Sequence, residues 1–344
     1  MNSINIIPNT TIYFKSATLL PSLIDFSSKK VVFVASPTVK TYVKAIQSKF
    51  VENNISCYTF YLNDGENNKN LENALKLTDF LCENSISRND VLINVGGGTV
   101  CDLGAFVASV YMRGIKFINI PTTLLCACDA SIGGKTAIDI SGIKNFWGTF
   151  YQPFAVVIDC EFLNGLSSEL VSDGLSEIVK YAIIDQNFYE KLLNFKTLKD
   201  IKSNLAEILY DCLTIKSKFV KLDEYDQNER KILNLGHTVA HAVESSSNYQ
   251  INHAKAVAFG LIVESKIASE LSLISNSRLD SILSLINNFL SVNIKISVND
   301  LLPYMLKDKK NSNNMITFSL PSEIGVKVTQ LSLDKTKEIM QKIL

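Results

Sequence analysis

Apolar and polar positions follow two different rhythms along this chain. From residue 30 to 120, short apolar runs alternate with amphipathic stretches. Lys30–Ser36 (KVVFVAS) reads as a buried strand, Val39–Asn53 as a helix and Cys57–Leu62 as a strand. Leu71–Asn84 reads as a helix, Val91–Val95 as a strand, Cys101–Arg113 as a helix closed by Gly114, and Lys116–Ile120 as a strand. Such alternation predicts a parallel sheet covered by helices on both faces. After about residue 167 the period becomes helical, with long stretches at Ser168–Ile184, Asp200–Tyr225 and Glu229–Ser245. The expected design is an α/β domain over residues 1–160, Rossmann-like in its strand–helix order, and a mainly helical domain over 161–344. The boundary is expected near Asp159–Leu166.

Composition narrows the function classes. A length of 344 residues suits two domains better than one. Lys+Arg and Asp+Glu both number 34, and this neutral balance argues against nucleic acid as the main partner. Uncharged stretches are too short, or too broken by Asn and Pro, to span a bilayer. The start, MNSINIIPNTT, lacks the basic and apolar regions of a signal peptide. Seven cysteines, an odd number, fit a reduced cytoplasmic protein better than a disulfide framework.

Two regions carry candidate chemistry. Val91–Val95 runs into Gly96-Gly97-Gly98-Thr99 and then a helix whose first turn is expected to hold Asp102. Glycines at a strand-to-helix turn let backbone N–H groups approach a phosphate, although the spacing is not that of the usual dinucleotide fingerprint. Asp64-Gly65-Glu66, with Lys69 after it, is a second polar turn following a strand. The other region holds all the histidines: His237, His241 and His253 lie within 17 residues. The i, i+4 spacing of His237 and His241 places both rings on one helix face. A divalent metal explains the clustering, and Glu177, a carboxylate in an apolar helix, is the candidate to complete the set. The alternative is a satisfied histidine pair beside an exposed glutamate.

The lysines are less telling alone. Asp129–Thr136 (DASIGGKT) looks like a phosphate loop but has Asp129 where that motif needs glycine. Lys144, Lys180, Lys216, Arg230 and Asp308-Lys309-Lys310 would each ordinarily be solvated surface groups.

Six strings in order resemble the 3-dehydroquinate synthases, within the sugar-phosphate cyclases. They are GGGTVCDLGAFVASVYMRG (Gly96–Gly114), PTTLLCACDASIGGKT (Pro121–Thr136), KNFWGTFYQP (Lys144–Pro153), SEIVKY (Ser176–Tyr181), DEYDQNERKILNLGHTVAHAVE (Asp223–Glu244) and HAKAVAFG (His253–Gly260). The resemblance implies a bound NAD⁺, a catalytic Zn²⁺ or Co²⁺, and a seven-carbon keto-sugar phosphate as substrate. A ring hydroxyl would be oxidised, phosphate eliminated, the ketone reduced again, and a carbocycle closed by an intramolecular aldol step. It further implies Glu177, His237 and His253 as metal ligands, with His241 facing the substrate. Substrate positions would be Asp129, Lys135, Asn145, Lys180, Lys216, Asp226, Arg230 and Asn234. Arg113 would reach a neighbouring site in a homodimer. NAD⁺ would meet Glu66, Lys69, Gly98, Asp102, Thr122, Thr123, Lys135 and Lys144, with Asp64, Gly97 and Thr99 from the two turns. Departures from the family pattern are Cys101, Gly165, Asp226 for a glutamate, Asn314 for a glycine and Lys255 for a carboxylate beside the metal. Other readings are a sedoheptulose 7-phosphate cyclase, a metal-dependent alcohol or glycerol dehydrogenase, and a non-catalytic paralogue.

Overall fold

Runs of β-branched and aromatic residues make the first half a sheet, and the computed structural model shows how it is covered. The structure describes residues 3–6, 10–307 and 314–344, so Lys309 and Lys310 lie outside the described residues. The chain divides into two compact units, Met1–Ser167 and Ser168–Leu344.

Unit 1 contains strands β1 (Ser3–Ile6), β2 (Thr10–Tyr13), β3 (Lys30–Ala35), β4 (Ser56–Tyr61), β5 (Val91–Gly96), β6 (Lys116–Pro121), β7 (Lys135–Ile140), β8 (Ile143–Phe150) and β9 (Ala155–Val157). Seven of them form one sheet in the order β1-β2-β9-β6-β5-β3-β4, while β7 and β8 form a separate antiparallel hairpin. All pairs in the large sheet are parallel except β1 with β2. Its helices are α1 (Leu20–Leu23), α2 (Lys40–Glu52), α3 (Leu71–Glu83), α4 (Gly98–Val110) and α5 (Cys160–Asn164). Alternate residues of β3 serve opposite layers. Val32 and Val34 pack with Leu77 of α3 and Leu103 of α4, whereas Val31 and Phe33 pack with Val43, Ile46 and Phe50 of α2. Each such side chain contributes about 1.5–3 kcal/mol by burial. Strand order reverses between β3 and β5, and at such switch points the carboxyl ends of strands leave a crevice.

Unit 2 is built from α6 (Ser168–Ile184), α7 (Gln186–Leu192), α8 (Leu198–Ser203), α9 (Leu205–Leu222), α10 (His237–Ser246), α11 (His253–Glu270), α12 (Asn276–Phe289), α13 (Val298–Lys307) and α14 (Leu333–Ile343). A hairpin of β10 (Met315–Pro321) and β11 (Val326–Ser332), which the periodicity does not announce, packs among them. Asn314 opens it with φ 58°, a left-handed conformation that asparagine tolerates.

Three sequence expectations change. The stretch 200–225 is two helices, because the backbone breaks at Asn204 after a Thr197/Asp200 capping box. The stretch 229–245 is a 3₁₀ turn over Glu229–Asn234, then Gly236 at φ 81°, then α10. Helix α4 starts at Gly98, so Asp102 lies one turn inside it rather than in its first turn. No helix among the described residues is long and apolar enough to cross a membrane.

Candidate metal centre and glycine turn

In unit 2, α10 begins at His237 and α11 at His253, and both rings meet the middle of α6. Glu177 there is fully buried, and its Oε1 lies 3.4 Å from His237 Nε2 and 3.3 Å from His253 Nε2. One ligand atom from each of the three residues falls within 4.8 Å of the others. The outer ring nitrogens are also engaged: His237 Nδ1 is 3.1 Å from the Leu235 carbonyl oxygen, and His253 Nδ1 is 3.6 Å from Glu244 Oε2. A carbonyl only accepts, so the Nδ1 of a neutral His237 carries the proton and Nε2 turns a lone pair toward Glu177. Lone pair facing carboxylate is repulsive unless a cation stands between them, and outer-nitrogen partners of this kind are what orient metal-bound imidazoles. The donor set, two imidazoles and one carboxylate, fits Zn²⁺ or Co²⁺.

The surroundings drive the two histidines in opposite directions. Burial pushes His237 down to about 4, outweighing the attraction of Glu177. Burial would also lower His253, but hydrogen bonds and charge from Glu177 and Glu244 carry it up to about 10. For Glu177, burial opposes ionisation, yet Lys180 and then His237 hold it well below the ordinary carboxylate range. Lys180 Nζ is 2.5 Å from Glu177 Oε2.

Lys180, Lys216 and Arg230 are buried, contrary to the ordinary expectation for such cations. Helix α6 packs against α9, which carries Lys216, and against the 229–234 turn, which carries Arg230. Arg230 Nη1 donates to the Glu224 carbonyl at 2.6 Å. Asn234 Nδ2 donates to the Lys231 carbonyl at 3.1 Å, and Asp226 sits at φ 57°. His241 is one turn beyond His237, ring centroids 5.7 Å apart, and is not among the three convergent ligands. Lys255, the departure that most threatened a metal, is exposed. Glu244, which sequence reasoning passed over, is the carboxylate beside the outer nitrogen of His253. Its signal was its place two turns after His237, on the same helix face.

In unit 1, Gly96–Gly98 joins β5 to α4 beside the strand-order switch. The N-cap, Gly97, provides no side-chain cap, and a Cβ on Gly98 would meet nothing within 4 Å. Thr99 follows in the first turn of α4. That uncapped start, with space in front of it, fits the diphosphate of a dinucleotide. Thr122 N–H donates to the Gly96 carbonyl at 2.9 Å, and Thr123 Oγ1 accepts from Cys126 N–H at 3.2 Å. Lys69 is buried, 2.6 Å from Asp102 Oδ2 and 3.6 Å from Glu66 Oε1. Burial would lower its pKa, but Asp102 and Glu66 outweigh that and raise it. Lys69 also donates to Asn145 Oδ1, so the structure joins Asn145 to Lys69 and Asp102. Asp64 accepts from Ser36 Oγ at 2.5 Å and Thr38 Oγ1 at 2.9 Å, just past the end of β3. Asp129 lies in a π-helical turn, Cys126–Ala130; Lys135 opens β7, and Lys144 is half-buried on β8. Arg113 is exposed at φ 65°, directly after Met112 at φ 48°.

The family model described as 3-dehydroquinate synthase N-terminal matches residues 59–173, and the one described as 3-dehydroquinate synthase C-terminal matches 174–311. A 3-dehydroquinate synthase of Thermoplasma volcanium is 39% identical over 278 residues, covering 80% of this chain and 77% of that protein. One from Sulfurisphaera tokodaii is 37% identical over 318 residues, covering 89% and 88%. Among solved structures, 2-deoxy-scyllo-inosose synthase complexed with carbaglucose-6-phosphate, NAD⁺ and Co²⁺ superposes with a TM-score of 0.88 at 21% identity, over 99% of this chain and 100% of that one. The last establishes the fold. With both family models and relatives of this identity, the chain belongs to the 3-dehydroquinate synthase family.

Proposed function

We propose that the chain converts 3-deoxy-D-arabino-heptulosonate 7-phosphate to 3-dehydroquinate and phosphate, a phosphate-eliminating lyase reaction. The observation that carries this reading is the company of Glu177, His237 and His253: a metal-ligand set whose packed helices also bury Lys180, Lys216 and Arg230. A substrate with both a carboxylate and a phosphate needs several fixed cations, and a simple alcohol does not.

Glu177, His237 and His253 would hold Zn²⁺ or Co²⁺, which when bound supplies a Lewis acid for a hydroxyl or ketone oxygen. Gly97, Gly98, Thr99, Asp102, Thr122, Thr123, Asp64, Glu66, Lys69, Lys135 and Lys144 would hold NAD⁺, which supplies reversible hydride acceptance. In unit 2, Lys216, Arg230 and Asn234 bind substrate anionic groups, and Lys180 holds Glu177 ionised while facing the same ligand. His241 serves the phosphate side of the substrate. Asp129, Lys135, Asn145 and Asp226 complete the substrate contacts. Held in place before reaction, these groups contribute mainly by positioning and by preset charge. Arg113 acts from a second copy in a homodimer, its exposed position in a left-handed turn supporting that role. No membrane or nucleic-acid partner enters the scheme.

The test is a product assay with Zn²⁺ or Co²⁺ and NAD⁺. With 3-deoxy-D-arabino-heptulosonate 7-phosphate, dehydroquinate and phosphate should form in equal amounts. No product from that substrate, with phosphate released from sedoheptulose 7-phosphate instead, overturns the assignment.

A further inference from the structure

Helix α10 starts on a sequence that cannot cap itself. Its N-cap is Gly236, which has no side chain, and its third residue is Val239, which has no acceptor. The two amides that a capping box satisfies are the N–H of the N-cap and the N–H of the third helical residue. Both are taken by one distant carboxylate. Glu264, on α11 and fully buried, accepts from Gly236 N–H at 2.6 Å through Oε2 and from Val239 N–H at 3.2 Å through Oε1. The approach of the two helices is close at the same point, since a Cβ on Gly260 would stand 1.9 Å from the Gly236 carbonyl oxygen. Between the two gripped amides lies His237, and the gripping helix is the one that begins at His253.

We propose that Glu264 is a positioning residue of the metal centre. By taking both capping amides of α10 from α11, it fixes where His237 stands relative to His253. It touches neither ring and acts through the backbone. The carboxylate, rather than a neutral acceptor, matches a helix N-terminus in two ways: it offers two oxygens to two donors, and its charge complements the positive helix end. Glu264 also lies three turns into α11 from His253, on the same face, so one helix supplies a ligand and the clamp for the other ligand. The proposal rests on Glu177, His237 and His253 holding the metal.

The test compares wild-type protein, His237→Ala and Glu264→Gln, each stripped of metal and titrated with Zn²⁺ against a chromophoric chelator. Gln keeps size and one acceptor oxygen, but its NH₂ confronts one of the two amides. Expected are loss of the site in His237→Ala, and a 10–100-fold weaker Zn²⁺ affinity in Glu264→Gln with helix content retained. Amide exchange at Gly236 and Val239 should accelerate in the same variant. Wild-type affinity in Glu264→Gln overturns the proposal. Undiminished affinity in His237→Ala would instead overturn the ligand assignment beneath it. If Glu264→Gln does not fold, amide exchange in the metal-free wild type decides: protected Gly236 and Val239 uphold the clamp, and unprotected ones contradict it.

Discussion

Helices α4 and α10 both begin at a glycine N-cap, yet their starts serve opposite chemistry. In front of α4 the Gly97 cap offers no side chain and Gly98 faces open space, which leaves room for a ligand at the backbone amides. At α10 the corresponding amides are filled from within by Glu264, and the side chain of His237 turns toward Glu177 instead. An available N-terminus suits an anion such as a dinucleotide diphosphate. A filled one no longer competes for anions, and can present an imidazole to a cation. The difference lies in what occupies the N–H groups, not in the helix.

That contrast is broken most severely at Gly260. In Gly260→Ala the new methyl meets the Gly236 backbone oxygen, which cannot rotate away. A stability loss of about 3 kcal/mol is expected from such overpacking. Denaturant unfolding measures it, and a loss below about 0.5 kcal/mol would mean that α11 does not pack tightly on the start of α10. Gly98→Ala gives the opposite profile. Nothing in the protein opposes the methyl, so folding stability should stay near wild type while NAD⁺ affinity falls about tenfold, roughly 1.4 kcal/mol. Calorimetric titration reads this, and unchanged NAD⁺ affinity would remove the glycine turn from the nucleotide site. The smallest effect belongs to Lys255→Ala. Although two residues from His253, the side chain is exposed, so Zn²⁺ affinity should change less than twofold and stability by about 0.5 kcal/mol or less. A gain in affinity of tenfold would show that the lysine does repel the metal.

The parallel sheet was legible because β3, β5 and β6 are apolar runs separated by helices of the right period. The break at Asn204 was not, since an asparagine inside a long apolar period looks tolerable in sequence and ends the helix only in its packed context. Periodicity paired His237 with His241, whereas the three-dimensional packing of α6, α10 and α11 brings His237 to His253 and Glu177. The polar break between the two helices hides His253 from any spacing rule, so the resemblance pointed to it, whereas Glu177 was already marked by its place in an apolar helix. Glu264, and Glu244 apart from its spacing to His237, were passed over for a related reason. Each reads as a single charge in an apolar helix, and its meaning depends on which neighbouring helix start it meets. Lysine burial was likewise unreadable: Lys69, Lys180 and Lys216 differ from solvated lysines only through their surroundings.

The central claim is a redox-neutral reaction in which NAD⁺ returns to its starting state. The most direct measurement supplies 3-deoxy-D-arabino-heptulosonate 7-phosphate in large excess over NAD⁺, and follows phosphate release together with absorbance of NADH. The account predicts many phosphates released per NAD⁺ and no net NADH. Phosphate release that stops at one equivalent of NAD⁺, or NADH accumulating in step with turnover, would contradict it and move the chain to dehydrogenase chemistry.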